Sequence, residues 1–154
     1  MRYQDFLNAD ALADYAAAIN RRAAQAGAAG RVVAADLRDV ILESGGRCAW
    51  CGARLVDSDI EIDHIEALVR GGANTRDNLA CTCPVCNRRK GDRSAVQFAL
   101  ERVAAGGAHT PLINRLLRAH GATPAVQRSL FDDDTPPDAP SDVPPDDVIP
   151  PYRW

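Results

Sequence analysis

Two cysteine pairs of identical spacing, Cys48-x-x-Cys51 and Cys83-x-x-Cys86, constrain this 154-residue chain more than any other feature. The first pair sits in a glycine-flanked run, Gly45-Gly46-Arg47-Cys48-Ala49-Trp50-Cys51-Gly52. Two such turns supply the four thiolates of one tetrahedral zinc ion. No signal peptide and no apolar run of membrane-spanning length is visible, which predicts a cytoplasmic protein with no membrane partner. In that reducing setting paired CxxC motifs read as a metal site rather than as disulfides. A staple also suits the composition: only 5% of residues are aromatic, and alanine inflates the 46% apolar content. A domain with so thin a core gains much of its stability from such a site.

Between the pairs lies polar chemistry that a zinc staple alone does not need. Cys48-x2-Cys51, Glu61-Ile62-Asp63-His64-Ile65, Gly71-Gly72, Asn78-Leu79 and Cys83-x2-Cys86-Asn87-x2-Lys90-Gly91 follow in order. This series resembles the HNH endonucleases in their four-cysteine form, members of the ββα-metal (His-Me finger) nucleases. The likeness covers about residues 45 to 93, and it implies a small α+β protein with a ββα-metal core that cleaves DNA.

Phosphodiester hydrolysis needs a base to activate water, a cation to stabilise developing charge, and groups that hold the phosphate. His64 is the candidate base, since a neutral imidazole titrates near neutral pH. Asp63 is a hard oxygen ligand for Mg²⁺ or Mn²⁺. The resemblance puts the second ligand in the first turn of the following helix, where this chain has Asn87 instead of histidine, and an amide oxygen is also hard. The resemblance gives Asn78 the task of holding the loop and orienting the base. Arg88, Arg89 and Lys90 are expected to contact nucleic-acid phosphates. The rival reading is a zinc-stapled nucleic-acid-binding module that has lost catalysis.

Helical periodicity predicts a helix over 10–26, with Leu12, Tyr15 and Ile19 on its apolar stripe, and a second over 34–44 with Leu37, Val40 and Ile41. Residues 50–56 and 59–65 read as the two strands of a hairpin, with an irregular loop through Gly71-Gly72 to Asn78 and a short helix from Asn87. Ser94 caps a helix to Ala104 with Val96, Ala99, Leu100 and Val103 on one face. Thr110-Pro111 opens the last helix, with Ile113, Leu116 and Leu117 as its stripe. The expected organisation is a helical segment over 1–44, the nuclease core over 45–93, closing helices over 94–131 and a tail over 132–154. Cys81 reads as a buried bystander, His109 and His120 as capping or surface residues, and Glu61 and Glu66 as surface charges.

The net charge of -3 conceals a segregation. The tail holds seven aspartates against Arg153, which leaves residues 1–131 with 17 basic and 14 acidic side chains. The overall charge therefore does not exclude a DNA partner. The tail also holds seven of the ten prolines, and such a composition predicts disorder. Just before it, Gln127-Arg128-Ser129-Leu130-Phe131 resembles the peptide that binds the bacterial sliding clamp, with Gln127, Leu130 and Phe131 as its anchors.

Overall fold

Helix α1 (Ala9–Gln25) begins where the Asn8 side chain accepts the backbone N–H groups of Asp10 and Ala11 at 3.0 and 3.2 Å. That bond satisfies amides a helix start otherwise leaves unpaired. The helix buries Leu12, Ala16, Ile19 and Ala23, a stripe at helical spacing. Tyr15 is half-buried beside that stripe, where its hydroxyl accepts the backbone N–H of Ile62 at 3.1 Å. Helix α2 (Ala34–Glu43) buries Leu37, Val40 and Ile41 and packs on α1. In the computed structural model residues 2–121 are described. The Asp/Pro-rich tail over 132–154 and the clamp-like residues Gln127, Leu130 and Phe131 lie outside the described residues.

The sheet is not the hairpin expected from the sequence. Strand β1 (Glu61–His64) pairs antiparallel with β2 (Leu79–Thr82): Glu61 faces Thr82, Ile62 Cys81, Asp63 Ala80 and His64 Leu79. Residues 50–56, expected as a strand, are turns with one bridge from Arg47 to Arg54. The cause is the cysteine knuckle, closed by Gly52 N–H on Cys48 O at 2.8 Å and Cys48 N–H on Ala53 O at 2.9 Å. Gly52 sits there at φ 72°, where a side chain is strained. The true partner strand escaped notice because all four residues of β2 are buried. A two-sided buried strand shows no alternation.

Helix α3 (Pro84–Lys90) begins three residues earlier than expected. Cys83 is its cap, with Sγ accepting Cys86 N–H at 3.3 Å, and Pro84 occupies the first turn, where no donor is needed. β1, β2 and α3 form the ββα unit. Helix α4 (Ala95–Ala104) is capped by Ser94 as anticipated, but its buried face is Ala95, Phe98 and Ala99. Leu100, assigned to the core from periodicity, is 48% exposed. The helix is turned so that Phe98 meets the fully buried Trp50 edge-on, with ring centroids 5.1 Å apart. Helix α5 (Pro111–Ala119) buries Leu112, Ile113 and Leu117. Its cap, Thr110, also donates to Ala49 O at 2.6 Å, which ties the helix to the first cysteine knuckle. Among the described residues no helix is long and apolar enough to cross a membrane.

Candidate active site and metal centre

The first knuckle supplies Cys48 and Cys51, and the β2–α3 junction supplies Cys83 and Cys86. Ala49 N–H bonds Cys81 O at 2.9 Å and Cys83 N–H reaches Cys48 Sγ at 3.3 Å, so β2 carries one knuckle to the other. All four Sγ atoms lie within 4.8 Å of one another, with Cys51 and Cys83 at 4.0 Å. A tetrahedral zinc with Zn–S of about 2.3 Å separates its sulfurs by about 3.8 Å. The cluster has the donors and dimensions of such a site. Burial pushes the Cys48 thiol up to about 11, and burial with the neighbouring Cys48 pushes Cys86 up as well. Burial also raises Cys51, but the Ala53 N–H and adjoining thiols outweigh it and hold that thiol low. Four thiolates need a cation to coexist here. Cys81 is buried, is pushed up to about 11 by that burial, and lies outside the cluster, as a bystander should.

His64 ends β1, and the loop that follows returns the chain to β2. Asn78 closes that loop: its Oδ1 accepts Glu66 N–H at 2.8 Å, and its Nδ2 donates to Glu66 O at 3.0 Å and Ala73 O at 2.8 Å. The approach is so close that a Cβ on Gly72 would lie 1.9 Å from Glu66 O. The ring of His64 is held by another residue. Its Nε2 is 3.0 Å from Oδ1 of Asn74, which is fully buried. Burial holds the imidazole below its ordinary value, against the Asn74 bond and the Asp63 charge, which pull it upward. The ring is therefore neutral at neutral pH, the state a base requires.

Asp63, the next residue back, faces the opposite side of the sheet. Its Oδ2 accepts Trp50 Nε1–H at 3.0 Å and its Oδ1 pairs with Lys90 Nζ at 3.0 Å. Lys90 also donates to His64 O at 2.7 Å and is only 1% exposed. This corrects the expectation that Lys90 meets phosphate at the surface. On a seven-residue helix its position falls on the inward side with Cys86, while Arg88 and Arg89 are exposed. Burial outweighs the Lys90 charge and the Trp50 bond and holds the Asp63 carboxyl above its ordinary value.

Asn87, beside them on α3, donates Nδ2 to Glu61 Oε2 at 2.6 Å, and its Oδ1 has no hydrogen bond among the described residues. A divalent ion held jointly by Asp63 and Asn87 does not fit these donors as they stand, because an ammonium already occupies Asp63. Glu61 and Glu66, expected as surface charges, are both engaged. Glu66 accepts Ala95 N–H at 3.2 Å at the start of α4 and pairs with Arg70 at 3.3 Å. His109 and His120 are exposed and belong to the loop before α5 and to its C-cap. Sequence reasoning missed Trp50, Asn74 and Asn20. An asparagine after Gly71-Gly72-Ala73 reads as a turn residue, but Asn20, four residues after Ala16 on an apolar stripe, was a visible signal.

Residues 48–93 match the family model described as HNH endonuclease. The chain is also similar to the CRISPR-associated endonuclease Cas9 of Corynebacterium diphtheriae, with 43% identity over 47 residues. That stretch is 30% of this chain and 4% of the relative, so the chain matches a small part of that protein's length. No solved structure matches the chain. The segment matched by the HNH endonuclease model holds both cysteine pairs, β1, the Asn78-tied loop, β2 and α3, so the sequence match and the geometry fall on the same residues.

Proposed function

We propose that this chain hydrolyses DNA phosphodiester bonds, with residues 45–93 as the nuclease core, His64 as the general base and zinc held by Cys48, Cys51, Cys83 and Cys86. The observation that carries the reading is a buried imidazole, anchored through Nε2 on Asn74 at the end of β1, inside the segment that matches the HNH model. His64 takes a proton from the attacking water, a contribution of roughly 10²–10⁴-fold to rate. Asn78 fixes the loop behind it. Dependence on Mg²⁺ or Mn²⁺ rests on the family alone. In this reading Asn87 Oδ1 would be the hard donor, and Asp63 as it stands is held by Lys90. The cytoplasmic setting remains part of the proposal.

Arg88 and Arg89 are exposed on α3 next to Asn87, where two guanidinium groups suit phosphate oxygens. Changing both to alanine is expected to weaken binding to unrelated DNA sequences equally. It should also flatten the dependence of affinity on salt by about 0.9 logarithmic slope units per lost phosphate contact. An unaltered slope in a fluorescence-anisotropy titration removes α3 from the DNA surface.

One observation favours the rival class. Asp63 is neutralised from within by Lys90, an arrangement that a binding module without catalysis tolerates. Supercoiled plasmid mixed with the zinc-loaded chain separates the two readings. Nicked circles in Mg²⁺ or Mn²⁺ support the nuclease, and binding without nicking in either ion supports the module.

A further inference from the structure

We propose that Asn20 and Asn74 are positioning residues that lock His64 as its Nε2–H tautomer, so that Nδ1 is the atom that receives the proton. The inference rests on the reading of His64 as the base.

The chain of assignment starts at a backbone that cannot be flipped. Val32 N–H lies 3.0 Å from Asn20 Oδ1, and Val32 O lies 2.8 Å from Asn20 Nδ2. A backbone N–H only donates and a carbonyl only accepts, so the Asn20 amide has one possible orientation. Its Oδ1 then meets Asn74 Nδ2 at 2.8 Å. Turning Asn74 over would set oxygen against oxygen with no proton between them. That leaves Asn74 Oδ1 toward His64 Nε2 at 3.0 Å. An amide oxygen only accepts, so Nε2 carries the hydrogen. A neutral imidazole has one N–H, and Nδ1 keeps the lone pair.

Burial makes the lock firm. Asn74 is 0% exposed, and its own N–H is bound to Ala29 O at 2.7 Å. Water has no access with which to replace a reversed contact. Asn20 belongs to α1 and Val32 to the segment before α2, both outside residues 48–93. The N-terminal helices thereby act on the base as well as on the core.

The direct test is long-range nitrogen–proton correlation NMR on the full, zinc-loaded chain labelled with ¹⁵N-histidine, with His64 assigned by the signals lost in His64→Ala. The expected spectrum has a protonated Nε2 and a bare Nδ1 on His64. Asn20→Ala frees the Asn74 amide to turn, so it should mix the tautomers and slow nicking by roughly tenfold, part of what a base contributes, with DNA affinity unchanged. Asn20→Asp still offers an oxygen to Asn74 Nδ2 and should keep the tautomer, with a lower melting temperature because its second oxygen faces Val32 O. A proton on Nδ1 in the unmutated protein, or Asn20→Ala with tautomer and rate intact, overturns the inference and leaves the base reading standing. Nicking that survives His64→Ala overturns the base reading whichever tautomer is found.

Discussion

Replacing Cys48 with serine, or stripping the metal with a chelator, is expected to unfold the domain. The four thiols join turns from either end of the HNH segment, and Trp50 between the first two of them packs on Phe98. Structural zinc sites contribute about 10–16 kcal/mol of apparent binding free energy, which appears as folding free energy. A small domain has only about 5–15 kcal/mol of net stability to lose. Cys48 is 1% exposed, and its sulfur also accepts the Cys83 amide, so a hydroxyl there neither ionises nor reaches as far. Circular dichroism should show loss of the cooperative melt. A Cys48→Ser protein that melts cooperatively and retains one equivalent of zinc contradicts the ligand assignment.

Lys90→Met should be the most damaging single change on α3 outside the cluster thiol Cys86. It removes the ammonium from Asp63 Oδ1 and from His64 O, and leaves a carboxylate that is 7% exposed beside Trp50. Removing one partner of a buried ion pair typically costs about 3–5 kcal/mol, because the remaining charge stays desolvated. Pairing it with Asp63→Asn removes that orphan charge and is expected to restore most of the loss. Thermal melts of the two single variants and the double variant measure the coupling. Equal melting temperatures for Lys90→Met and the unmutated chain would place Lys90 at the surface after all.

These two results separate what the sequence displays from what only the folded chain reveals. Helices α1 and α2 were legible because their apolar residues recur at helical spacing, and Ser94 and Thr110 announced the caps of α4 and α5. The four-cysteine cluster was legible because two CxxC pairs of equal spacing suit one metal site. β2 was not, since four consecutive buried residues carry no period. Lys90 stood in a basic string with Arg88 and Arg89, and only the phase of α3 decides that one of the three turns inward. Asn74 and Asn20 lie 54 residues apart in sequence, and their hydrogen bond depends on how α1 crosses the loop after β1. The α4 stripe was misread because Phe98 has a partner, Trp50, inside the cysteine knuckle.

Fold rests on the cysteine cluster and cleavage on His64, and one variant tests that division most directly. His64→Ala removes a ring that is 9% exposed and bonded to Asn74, but it leaves the cluster, the Asn78-tied loop and the Asp63–Lys90 pair in place. Plasmid nicking by this variant in Mg²⁺ should fall by at least about 100-fold, with zinc content and DNA affinity unchanged. Nicking at the unmutated rate by a zinc-loaded, folded His64→Ala protein would contradict the account.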